Sequence, residues 1–252
     1  MNYDEMLGKM VDEYKKLLKA NLVGIYVHGS MAFNCFNSNQ SDIDLVIVID
    51  QELTLEEKVA FMNVTLKLNG SAPKKGLELS VVLAKYCKDF LYPTPYELHF
   101  SNTHIDSINK DIVKYCNQKN MTDKDLAAHF TVIDHAGLVL SGKPIKEVFG
   151  TVPKADFIDS IKYDIEDAET TISEYPVYVI LNLCRVLAFL EDGPVLSKSD
   201  GGRWGLKNIP EKYHILIDKA LKAYEKDETV HFDDNLLSEY SSLMLSRINS
   251  FD

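Results

Sequence analysis

Apolar residues recur at helical spacing from Tyr3 to Leu18. Tyr3, Met6, Leu7, Met10, Val11, Tyr14, Leu17 and Leu18 share one face and predict an amphipathic helix. The period then changes. Val23 to Val27 is a short apolar run ending at Gly29-Ser30, and Ile43 to Ile49 is a second, rich in β-branched residues; both predict buried strands. Helical spacing returns from about Thr54 to Leu68 and stops at Asn69-Gly70. Leu77 to Ala84, LELSVVLA, predicts a third strand, so the opening of the chain reads as a small α/β unit.

Beyond YPTPY (Tyr92 to Tyr96) strand patterns nearly vanish. Helices are predicted near Lys124 to Leu140, Lys154 to Ser173, Val177 to Leu190, Glu211 to Tyr224 and Asp234 to Ile248. The expectation is an α+β protein. A mixed sheet with helices occupies residues 1–110, and an all-α helical bundle occupies residues 111–252.

Within this pattern, acids stand where oil is expected. Asp42 and Asp44 open the second strand one residue apart, so alternation puts them on one face while Ile43, Leu45 and Ile47 point into the other layer. Two adjacent carboxylates repel unless a cation compensates them, and hard oxygen donors suit Mg²⁺. On the third strand Glu78 sits between Leu77 and Leu79, on the polar face with Ser80. If the two strands are neighbours, Glu78 joins the aspartates in one cluster suited to metal-assisted phosphoryl or nucleotidyl transfer. Gly29 allows a tight turn and close backbone approach, and the Ser30 hydroxyl can hold phosphate oxygens.

Composition narrows the partners. The 252 residues are 46% hydrophobic and 26% charged, with a formal net charge of −11, a balance that disfavours nonspecific nucleic-acid binding. Cys35, Cys87, Cys116 and Cys184 form no CxxC pair, the N-terminus has no apolar signal core, and no stretch reaches a membrane span. A cytoplasmic, monomeric protein with reduced thiols is expected, with no nucleic-acid or membrane partner.

The spacing GS-x11-D-x-D (Gly29 to Asp44) with an acid on the next strand resembles the nucleotidyltransferase superfamily of polymerase-beta-like fold. SDIDLVIVI, GLELSVV, the YP-x-P-x-EL-x-F segment (Tyr92 to Phe100), Asp125 to Phe149 and Tyr178 to Pro210 are similar to aminoglycoside adenylyltransferases of the streptomycin/spectinomycin type. The resemblance implies an ATP- and Mg²⁺-dependent transfer of AMP to a hydroxyl of a small acceptor, a cationic aminoglycoside or aminocyclitol among the candidates. It implies Asp42, Asp44 and Glu78 as metal ligands and Glu78 as general base. It implies Gly29, Ser30 and Ser41 around the nucleotide phosphates, with Arg185, Lys198 and Tyr224 as further ATP contacts. From the residues alone, Arg185 inside an apolar helix reads equally as a cation reaching the surface or pairing with a structural acid. Lys198 is expected in a loop and Trp204 in the core. Other readings are transfer to a protein or RNA end, and a nucleotide sensor without turnover.

One part departs from the resembled pattern. The family's F-G-E-W, whose tryptophan packs against the antibiotic, stands here as Phe100-Ser101-Asn102-Thr103. The family's second aromatic and the acidic residue that precede the Arg185 helix and recognise streptomycin have no clean counterpart in KYDIEDAETTISEYP, which offers Asp164, Glu166, Asp167, Glu169 and Glu174.

Overall fold

The computed structural model describes residues 3–251. Helix α1 (Tyr3–Leu18) leads to β1 (Leu22–Val27) and the single turn α2 (Gly29–Ala32); β2 (Ile43–Ile49), α3 (Leu55–Asn69) and β3 (Leu77–Leu83) follow. Then come α4 (Ala84–Lys88), β4 (Thr94–Pro95), β5 (Leu98–Phe100), α5 (Ile105–Lys110), α6 (Ile112–Cys116), β6 (Thr122–Asp123), α7 (Leu126–Ala136), β7 (Leu138–Gly142) and α8 (Ile145–Val148). The main sheet has the order β5-β3-β2-β1-β7. Only β2 and β3 run parallel, joined by α3 as a crossover; the remaining pairs are antiparallel. Strands β4 and β6 form a separate two-stranded ribbon.

Each face of the sheet has its own core, as the alternation requires. Ile25, Ile43, Leu45, Ile47, Leu79 and Val81 pack against Met10 and Tyr14 of α1 and Phe61 of α3. The opposite face packs Tyr26, Val46, Val48 and Val82 against Leu126, Phe130 and Ile133 of α7. The start of α3 is fixed by a capping box, in which Thr54 accepts from Glu57 N–H and the Glu57 carboxylate accepts from Thr54 N–H at 2.8 Å.

The chain divides into two compact units, the first ending at Phe157 and the second beginning at Ile158. The division expected at 110/111 therefore lies inside the first unit, because β7 pairs with β1 and α7 covers the sheet. The helix expected from Lys124 to Leu140 ends at Ala136 and gives way to β7, a half-exposed edge strand whose short LVLSG sequence carries little period of its own.

In the second unit, the segment expected as one helix from Lys154 to Ser173 is broken by turns into α9 (Lys154–Tyr163), which crosses the division, and α10 (Ala168–Thr171). Helix α11 (Pro176–Asp192) is buried along nine of its residues and packs against α12 (Lys198–Asn208), α13 (His214–Lys226) and α14 (Asp234–Asn249). Lys198 is the first residue of α12 rather than a loop residue. Three glycines depress the helix signal of KSDGGRWGLKN, and the Ser197 cap together with close packing on α11 overrides it. A Cβ at Gly201 would lie 2.7 Å from the Arg185 Cβ, so only glycine allows the two helices this approach. Trp204 is half-buried rather than in the core, and its Nε1–H donates to Asp192 at 2.6 Å. No helix among the described residues is long and apolar enough to cross a membrane.

Candidate active site

The parallel register sets Asp44 directly beside Glu78. Asp42 immediately precedes β2, and one oxygen from each of the three carboxylates lies within 4.8 Å of the others. All three are half-buried, at the N-terminal ends of two adjacent strands. Alternation places Asp44 and Glu78 on the face shared with Val46 and Ser80, above the α7 layer. Three hard oxygen donors at this separation, partly open to a cavity, fit a divalent cation such as Mg²⁺.

Strand β1 delivers the neighbouring turn. His28 N–H donates to the Asp44 carbonyl at 3.1 Å, which seats Gly29 against the aspartate. Gly29 has φ +59°, and a Cβ there would fall 1.8 Å from Asp44 Oδ2. No side chain fits that position without moving a carboxylate of the cluster. The Ser30 Oγ is buried and without a hydrogen-bond partner among the described residues, a donor in keeping with a phosphate oxygen at this point. Ser41 is buried; its Oγ accepts from Asn37 N–H at 3.3 Å and closes the turn that presents Asp42. The buried His28 imidazole packs 4.3 Å from that of His129, and burial holds its pKa down at about 3.

An open cavity of about 810 Å³ adjoins the carboxylates. Asp42 and Glu78 form one wall, and the others include Lys74, Lys75, Tyr96, His99, Thr103, His104, Asp123 and Asp125. Thr103 thus lines the same space as Glu78. His99 was not among the residues expected from the sequence. Ser80 Oγ and His99 Nδ1 are hydrogen-bonded at 3.0 Å, the Tyr115 hydroxyl donates to the His99 carbonyl at 2.9 Å, and that hydroxyl lies 2.7 Å from His104 Nδ1. Burial, with a smaller contribution from the neighbouring His104, lowers the His99 pKa to about 4.

The residues expected from the second unit form a different kind of arrangement. Asp164 takes Arg185 at 3.3 Å, the Tyr178 hydroxyl at 2.6 Å and the Asn182 amide at 3.1 Å. Lys198 Nζ stands 4.4 Å above the Tyr178 ring. Both expected cations are therefore tied to one Asp164–Tyr178 platform, and the Asn182 Oδ1 and Ser199 Oγ beside it are buried without partners among the described residues. Tyr224 is half-buried on α13. Sequence reading offered Asp164 only as one acid among five; nothing local to it signals a partner 21 residues away.

Comparison with known proteins finds two family models along the chain. A nucleotidyltransferase domain model matches residues 7–116, and a model of the aminoglycoside adenylyltransferase C-terminal domain matches residues 147–247. A spectinomycin 9-adenylyltransferase of Campylobacter jejuni is 20% identical over 98% of this chain and 96% of its own length. An aminoglycoside (3'')(9) adenylyltransferase of Klebsiella pneumoniae is 23% identical over 86% of this chain and 84% of its own. A crystal structure of spectinomycin adenyltransferase from Enterococcus faecalis, solved with ATP and spectinomycin, superposes with a TM-score of 0.84 at 20% identity, covering 97% of this chain and 98% of that one.

Proposed function

We infer that this chain, which belongs to the aminoglycoside nucleotidyltransferases, transfers AMP from ATP to a hydroxyl of an aminoglycoside or aminocyclitol and releases pyrophosphate. The observation that carries the reading is the convergence of Asp42, Asp44 and Glu78 within 4.8 Å beside an open cavity. A pure nucleotide sensor has no use for a third carboxylate facing the acceptor space.

The residues divide the work as follows. Asp42, Asp44 and Glu78 would hold Mg²⁺, which when bound neutralises charge on the phosphate oxygens. Ser30 takes a phosphate oxygen, and Gly29 leaves room for it beside Asp44. Glu78 accepts the proton of the acceptor hydroxyl, whose oxygen attacks the α-phosphorus in line as pyrophosphate leaves. Ser41 holds the turn that carries Asp42. Arg185 and Lys198 contact the ATP phosphates and Tyr224 lines the nucleotide site; the anchoring of both cations on Asp164 and Tyr178 supports a built role for them. Asp123 and Asp125 in the cavity wall suit the ammonium groups of a cationic acceptor. With Thr103 in place of the antibiotic-packing tryptophan, spectinomycin is the favoured acceptor over streptomycin. The enzyme is read as a cytoplasmic monomer requiring neither nucleic acid nor membrane.

The test is incubation with Mg²⁺-ATP and spectinomycin, streptomycin or no acceptor, following pyrophosphate release and the mass of the drug. Release coupled to adenylylated drug supports the reading. Release without any acceptor, or none with any member of an aminoglycoside and aminocyclitol panel, rejects it.

A further inference from the structure

The sheet order places the phosphate-facing turn and the His99 network on opposite sides of the carboxylates. Ser30 follows β1, while His99 belongs to β5, with β2 and β3 in between. Three strand spacings amount to roughly 14 Å. A nucleotide whose phosphates meet Ser30 and the aspartates therefore leaves the β5 side of Glu78 for the second substrate.

His99 is the residue built into that side. It pairs with Ser80 across the β3–β5 ladder, and Glu78 lies two residues before Ser80 on the same face. Such diagonal neighbours are roughly 7–8 Å apart, a gap that one ligand hydroxyl and its neighbouring carbon can span. The ring is fixed from behind. Nδ1 is engaged by Ser80 Oγ, and the Tyr115 hydroxyl anchors the His99 carbonyl. Nε2 is then the ring nitrogen left to meet a molecule in the cavity that His99 shares with Glu78.

We propose that His99 is a specificity-determining residue for the acceptor, its Nε2 hydrogen-bonding an acceptor oxygen and so orienting the hydroxyl that Glu78 deprotonates. The proposal rests on the adenylyl-transfer reading given above. A neutral imidazole suits the task because it binds a hydroxyl without repelling a cationic substrate, and burial keeps His99 neutral at physiological pH. Thr103 and Tyr96 complete the same wall.

The experiment measures spectinomycin binding by calorimetry to the full chain loaded with Mg²⁺ and a non-hydrolysable ATP analogue, together with steady-state kinetics. His99→Ala should weaken spectinomycin binding and raise its KM about tenfold, with the KM for ATP unchanged, as expected for one lost hydrogen bond to a buried partner. His99→Gln, which keeps a donor and an acceptor, should recover most of the loss. Equal drug affinity in wild type and His99→Ala overturns the proposal, as does an equal change in both KM values accompanied by a lower Tm, the mark of a purely structural role. Should the wild type bind neither spectinomycin nor any other member of the panel, the function reading falls and this proposal with it.

Discussion

The carboxylates of the first unit and the cations of the second are positioned by different physics. Asp44 and Glu78 are short side chains on adjacent strands in fixed register, so backbone pairing alone brings them together. Arg185 and Lys198 are long side chains on helices, and their placement depends on side-chain partners, Asp164 and Tyr178, contributed from elsewhere in the sequence. Charge set by a ladder is rigid and leaves little room for substitution. Charge set by a network can adjust when one member is lost. The two regions should therefore respond differently to perturbation.

Among substitutions that leave the three carboxylates in the sequence, Gly29→Ala should cause the largest change. The added methyl meets Asp44 Oδ2 at a positive φ, so strain and displacement fall directly on the cluster. Transfer activity should drop at least about a hundredfold, with about 2–4 kcal/mol of stability lost. Near-wild-type activity in this variant would mean that the carboxylates are not ladder-fixed.

Acid comes next, again through the first unit. His99 titrates near 6.5 when unfolded and near 4 when folded, so below pH 6.5 the unfolded chain takes up the proton first. Its contribution is complete above pH 6.5 and is lost as pH falls towards 4, by about 2–3 kcal/mol. Thermal unfolding across this range should show the decline, and His99→Gln should reduce it, leaving the part that buried His28 contributes.

Gly201→Ala tests the helical region. Its methyl would press on the Arg185 backbone at 2.9 Å, for an expected cost of about 1–3 kcal/mol. Trp204, the only tryptophan and three residues further along α12, reports the change by fluorescence.

Asp164→Asn should do least. Arg185 and Tyr178 keep a neutral partner, so ATP affinity should change only a few-fold, with the fold intact, as for a partly exposed ion pair. A loss as large as that of Gly29→Ala would erase the contrast between ladder and network.

The same contrast explains what could be read from the sequence. Short apolar runs identified the first three strands, and period-two alternation put Asp42 and Asp44 on one face and singled out Glu78, because each step is local. Strand β7 was not legible, since its pairing with β1 is more than a hundred residues distant and its five residues are half-exposed. The glycines of α12 mask a helix whose stability comes from its fit against α11. Asp164 and His99 gain their meaning only from partners that folding brings to them.

Glu78 carries the central claim, and the direct measurement compares wild type with Glu78→Gln in the same assay. Pyrophosphate release and adenylylated spectinomycin are followed at saturating Mg²⁺-ATP, with nucleotide binding measured separately. The account predicts coupled product formation by wild type and a loss of about a thousandfold or more in the variant, which still binds nucleotide. A variant that turns over at the wild-type rate would contradict it.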